Sequence, residues 1–160
     1  MAEFTFENGN QIYQRTRLEL GPLYLSAQSY KEISNKLSKI YVSASPITSI
    51  SFTADESFPE EYITDNSSAK DFISYYLVIN NKDYAIAPGN RGGDDPTMIY
   101  INSEMSEEAR EELKQTEKVG FIDIADKVTT WQLRARLKRP SNMPESTPVI
   151  TSYRFTYTYE

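Results

Sequence analysis

Neither cysteine nor histidine occurs anywhere in the 160-residue chain. The first absence removes disulfide staples and thiolate nucleophiles. The second removes imidazole as metal ligand, as general base and as the partner of a serine nucleophile. Basic residues are the minority. Seventeen Lys and Arg stand against 23 Asp and Glu, giving a formal net charge of −6 and a pI near 4.8, which opposes long-range attraction to a polyanion. Long apolar runs are missing too: stretches such as Tyr75 to Ile79 fall far short of the roughly 20 residues a bilayer-spanning helix needs, so no membrane segment is expected. The opening MAEFTFENGN has neither a basic leader nor an apolar stretch and does not read as a secretory signal. Lack of cysteine is compatible with any redox compartment. Without staples the fold must rest on burial. A chain of this length can withdraw about two-thirds of its unfolded surface from water, enough for one core and a single domain over 1–160.

What is abundant is tyrosine, 12 of the aromatic residues, together with Thr, Ser, Ile and Val, all suited to a pleated, half-buried surface. In Thr129 to Arg139, Trp131, Leu133, Ala135 and Leu137 alternate without fault with Gln132, Arg134, Arg136 and Lys138, the pattern of a strand buried on one side. From Val149 to Tyr159, Val149, Tyr153, Phe155, Tyr157 and Tyr159 are expected on one face, with Ile150, Ser152, Arg154, Thr156 and Thr158 on the other. The intervening PSNMPESTP carries three prolines and forms an irregular loop. Phe72 to Ile79 and Tyr84 to Ala87 make a hairpin through a turn at Asn80 to Asp83. PGNRGGDDP, residues 88 to 96, is a loop, followed by short strands at Met98 to Ile101 and Phe121 to Ile124. Met105, Ala109 and Leu113 mark one short, solvated helix within 104 to 117, capped by Ser106, with Glu111 in reach of Lys114. Tyr30, Ile33, Leu37 and Tyr41 fit a helical stripe, but Ile40, Val42 and Ala44 favour a strand from Lys39 onward. With Ser49 to Ala54 and the opening Phe4/Phe6 and Ile12 to Leu20 stretches, the expected fold is all-β. It is an antiparallel, jelly-roll-like β-sandwich of about eight strands with one peripheral helix, residues 1–20 serving as an edge strand or an extended arm.

Four cations, Arg134, Arg136, Lys138 and Arg139, form the densest like-charged feature. Its ordinary reading is the solvent face of a strand, paired with acids on a neighbouring strand. A subunit contact comes next. Contact with nucleic acid is disfavoured by the acidic pI. Asp55, Glu56, Glu60, Glu61 and Asp65 cluster in a loop-like segment that offers no set carboxyl separation for glycoside hydrolysis. Asp94 and Asp95 lack the spaced ligand pattern of a calcium loop, and GNRGGD lacks the spacing and the following lysine of a nucleotide loop. No catalytic, cofactor-binding or metal-binding residue is assigned, and no enzyme is expected. The row Tyr153, Phe155, Tyr157 and Tyr159 reads as core; exposed, it would stack on sugar rings.

The run WQLRARLKRP followed by STPVITSYRFTYT resembles the closing strand pair of β-sandwich structural proteins in the virions of tailed bacteriophages, those of the neck, tail and baseplate. YYLVINNKDYAIAP and the following MIYIN are similar to the middle of such proteins. The resemblance covers the C-terminal half and implies a non-enzymatic virion component without cofactors, assembled in the host cytoplasm as a homo-oligomer joined to other virion proteins. Under it, Arg134, Arg136, Lys138, Arg139, Asp94 and Asp95 become contact residues, together with the N-terminal strand and the 88–96 and 140–148 loops. The alternative is a carbohydrate- or receptor-binding sandwich, which would have to expose aromatics such as Tyr75, Tyr76, Tyr84 or Tyr100 around a groove.

Overall fold

A computed structural model of the chain describes residues 4–23, 29–91 and 95–160. It is mostly β, with two sheets and one helix. The strands are β1 (Phe4–Asn8), β2 (Gln11–Glu19), β3 (Ile33–Leu37), β4 (Tyr41–Val42), β5 (Ile47–Ser57), β6 (Ile73–Ile79), β7 (Lys82–Ile86), β8 (Met98–Ile101), β9 (Val119–Ile122), β10 (Thr130–Lys138) and β11 (Val149–Tyr159); α1 is Glu107–Thr116. One sheet runs β1-β2-β11-β5-β8-β9. The other runs β3-β10-β6-β7, with β4 also paired to β10.

The sheets face each other through their rings. Phe52 on β5 meets Tyr75 on β6 at 4.8 Å between centroids, and Trp131 on β10 meets Tyr157 at 5.0 Å and Phe155 at 6.0 Å on β11. Tyr41 packs among them, edge-on to Phe155 at 5.4 Å, a geometry in which a ring edge meets a ring face. The alternation in β10 puts Trp131, Leu133, Ala135 and Leu137 into this core and leaves Arg136 and Lys138 outside.

Several expectations are corrected. The β11 register shifts between Ile150 and Ser152, so Ile150, in register with Leu18 and Glu56, is buried on the side of Tyr153, Phe155 and Tyr157, while Val149 is only half-buried and Ser152 stays on the outer side with Arg15 and Asp55. A bulge changes the parity of everything beyond it, which strict alternation cannot anticipate. The segment before Lys39 is neither a helix nor a loop but strand β3. In β4 it is Tyr41 that turns inward, leaving Ile40 and Val42 exposed, the reverse of the expected phase. The sheets are not wholly antiparallel, because β8 and β9 run parallel through the crossover that contains α1. β9 itself begins at Val119 rather than Phe121. Eleven strands lie among the described residues rather than about eight.

The β6–β7 hairpin is tighter than expected, with only Asn80 (φ 52°) and Asn81 (φ 63°) between the strands. Two positive φ values define the primed turn whose twist matches the flanking strands. Valine in place of both asparagines is expected to cost about 1–2 kcal/mol per residue, and Asn81→Gly to cost nothing, as read from urea midpoints.

Helix α1 buries no residue, so local bonds must hold it. The Ser106 hydroxyl accepts from the Ala109 N–H at 3.2 Å, and Arg110 grips Asp123 through two bonds of 2.8 and 3.1 Å while donating to the Ser103 carbonyl. The Phe121 ring stacks on Tyr100 at 5.4 Å and lies under Arg110 and Lys114, so the helix covers the outer face of the first sheet at its β8–β9 end.

Candidate functional site

The outer face of the second sheet carries the exposed cations, and strand register fixes their neighbours. Leu37, Arg134, Tyr76 and Ala85 form one row across β3, β10, β6 and β7; Asn35, Arg136 and Ser74 form the next; Ile33 and Lys138 the third. Apolar side chains are concentrated along the same margin: Ile33 is 39% exposed, Leu37 54%, Ile40 60% and Val42 62%. Single exposed apolar residues are ordinary on protein surfaces. Four within ten residues of chain, flanking a basic strand, make a patch.

The four cations have different environments. Arg134 reaches past its neighbour β6 to Asp83 on β7 at 3.6 Å, one strand further than the expected cross-strand pair. Such a half-exposed pair contributes little to stability. Arg136 and Lys138 are exposed and make no ion pair among the described residues. Arg139 is the correction. Its odd number gives it the parity of Trp131, and it turns inward, 7% exposed. Its Nε donates to the Tyr30 carbonyl at 3.0 Å and its Nη1 to the Pro140 carbonyl at 2.9 Å, tying the start of the 140–148 loop to the chain leading into β3. Within the chain it acts as a clamp.

Asp94 lies outside the described residues; Asp95 is half-buried. The acidic cluster of the sequence is dispersed by the fold. Asp55 accepts from the Ser152 hydroxyl at 2.6 Å, and Glu56 turns inside, where it accepts from the Tyr75 hydroxyl at 2.7 Å and from Arg91 at 2.9 Å. Arg91 also donates to the Ile73 carbonyl and lies 5.5 Å from the Tyr75 ring centroid. Burial holds the Glu56 carboxyl above the ordinary carboxylate range, against the lowering effect of Tyr75 and Arg91. The same burial, with the carboxylate beside it, pushes the Tyr75 hydroxyl well up. This triad went unseen in the sequence because its members are 16 to 35 residues apart and only the folded sheets bring them together.

A cavity of about 170 Å³ opens where β3 faces β1 and β2, lined by Gln14, Thr16, Lys36, Lys39, Tyr41 and Tyr153. Its floor is a hydrogen-bond chain: Tyr41 donates to Gln14 Oε1 at 3.2 Å, Thr5 donates to the same oxygen at 2.6 Å, and the Tyr41 and Tyr153 hydroxyls are 2.6 Å apart. Lys36 is paired in register with buried Ala135, so it stands on the inward side of β3, an outermost strand of its sheet. The period-2 pattern of β2, with Gln14 and Thr16 at inward positions beside Ile12, carries the signal for this polar floor.

The aromatics divide between core and surface: Tyr159, expected in the core row, is 47% exposed, and Tyr76, Tyr84 and Tyr100 are half-exposed. Tyr75, Tyr153, Phe155 and Tyr157 are buried, and the half-exposed Tyr100–Phe121 pair is capped by α1. Among the described residues no group of three or more acids that could hold a metal ion occurs, and no helix is long and apolar enough to cross a membrane. Comparison with protein-family models, with curated proteins and with solved structures found no match to this chain.

Proposed function

We propose that this chain is a non-enzymatic structural protein of a tailed-bacteriophage virion, a jelly roll that works by packing against copies of itself and against other virion proteins. The observation that carries the assembly reading is the outer face of the second sheet, where Ile33, Leu37 and Val42 are exposed beside the cations of β10. The jelly-roll assignment is supported by the pairing order. Take β2, β3, β5, β6, β7, β8, β10 and β11 as eight strands: the first pairs with the last, the second with the seventh, the third with the sixth and the fourth with the fifth. That is the pattern of one long antiparallel ribbon rolled up, with β1, β4 and β9 added at its margins. Jelly rolls build viral capsids and also lectins. Fold alone therefore does not choose between assembly and glycan binding. The exposed apolar border beside the basic strand favours assembly, and the virion setting rests on the resemblance of the β10 and β11 segments.

The test is light scattering on the purified chain over a range of concentration and salt. Discrete oligomers, or association that strengthens as salt is lowered, are expected, since surface charge contacts are screened within about 10 Å at 0.1 M salt. A strict monomer under every condition would overturn self-assembly.

A further inference from the structure

We infer that copies of this chain join head to tail, with α1 of one copy lying on the β3–β10 face of the next. This rests on the assembly reading and names the two surfaces it uses. They lie far apart on one molecule. β3 stands at the lateral end of the fold shared with β1 and β2, on the outer side of the second sheet, whereas α1 covers the outer side of the first sheet at its β8–β9 end. They cannot meet within one chain, and two different surfaces in contact form a heterologous interface, which propagates into a ring or a filament instead of closing a two-fold dimer.

Charge and spacing both fit. Arg136 and Lys138 point out unpaired among the described residues. On α1, Glu108 and Glu112 are exposed, make no ion pair among the described residues, and lie one helical turn apart. Same-face residues on a strand recur at about 6.6 Å, and side chains at i and i+4 of a helix at about 5–6 Å, so a pair of glutamates can match a pair of cations. Lengths agree as well. The ten residues of α1 extend about 15 Å, and Ile33 to Leu37 on β3 extends about 13 Å. The aliphatic stems of the glutamates would cover Ile33 and Leu37, which are otherwise in water.

The experiment uses two charge-reversed variants of the full chain, Arg136→Glu with Lys138→Glu and Glu108→Lys with Glu112→Lys, each checked for fold by circular dichroism. Sedimentation velocity at low salt is run on the wild type, on each variant and on their equimolar mixture. Each variant alone is expected to need more than about tenfold higher concentration to associate, because like charges then face each other. The mixture is expected to associate again, since each helix now finds a face of opposite sign. Wild type that associates while either variant still does so, or while the mixture stays apart, would overturn this contact and leave the assembly reading standing. Wild type that stays monomeric at every concentration would overturn this contact and self-assembly together.

Discussion

Replacing Arg91 by methionine is expected to lower the unfolding free energy by about 3–5 kcal/mol near pH 8, and by much less near pH 4. The reason is the company Arg91 keeps. Glu56 and Arg91 are both largely buried, at 8% and 13% side-chain exposure, so removing the guanidinium leaves a carboxylate in a poor solvent with only the Tyr75 hydroxyl to hold it. The sign follows from linkage. In the wild type the folded-state pKa of Glu56 is raised above its ordinary 4.5, so the stability tied to its neutral form is fully present below that value and is lost as pH rises through the folded value. Without Arg91 the folded value climbs further. The variant can escape its penalty by keeping Glu56 protonated, which costs nothing in acid and progressively more toward alkaline pH. Urea unfolding of both proteins at the two pH values checks this; a deficit of equal size at both would mean that Arg91 acts through packing alone.

Trp131→Ala is expected to cost about 3–5 kcal/mol, a large part of the 5–15 kcal/mol that holds an ordinary domain together. The indole is fully buried and touches rings from Tyr41, Phe155 and Tyr157, so its removal opens a cavity between the sheets that neither can collapse to fill. Trp131→Phe should lose far less. The indole N–H has no hydrogen-bond partner among the described residues, so phenylalanine gives up volume but no polar contact. Denaturant midpoints followed by far-ultraviolet circular dichroism decide the order, since the only tryptophan is the residue replaced. Equal losses in the two variants would mean that ring volume at this position is not what joins the sheets.

How far the sequence discloses this molecule depends on whether the information is local. β10 is legible residue by residue because nothing interrupts its period, and the β6–β7 hairpin is legible from its asparagines. β11 is legible only from Tyr153 to Tyr157, because register shifts before and after it, imposed by pairing with its neighbours, leave Tyr159 exposed. Around Tyr41 the apolar residues are ambiguous: Ile40 and Val42 look as suited to a core as Tyr41, and only the space beside Trp131 and Phe155 decides. Arg139 carries a lesson about parity. Its number placed it inward with Trp131, but its charge suggested outward, and carbonyls from Tyr30 and Pro140 resolve the conflict. The basic face could be read from β10 alone. Its apolar border could not, because it comes from β3 and β4, about a hundred residues earlier in the chain.

Lys36 has a consequence for how such a protein avoids fibres. An outermost strand offers unpaired backbone groups to any passing strand, and a charge on its inward side is one of the ways natural sheets refuse that offer. A further strand docked along β3 would bury the Lys36 ammonium between two hydrogen-bonded layers beside Ala135 and the Gln14 amide. That cost falls on every copy added, whether native or misfolded. Growth at this margin is therefore steered away from cross-β polymerisation and toward contacts between side chains, which come apart when salt or concentration changes. A chain stored at high copy number before use would gain from that difference, because its premature aggregates would dissolve.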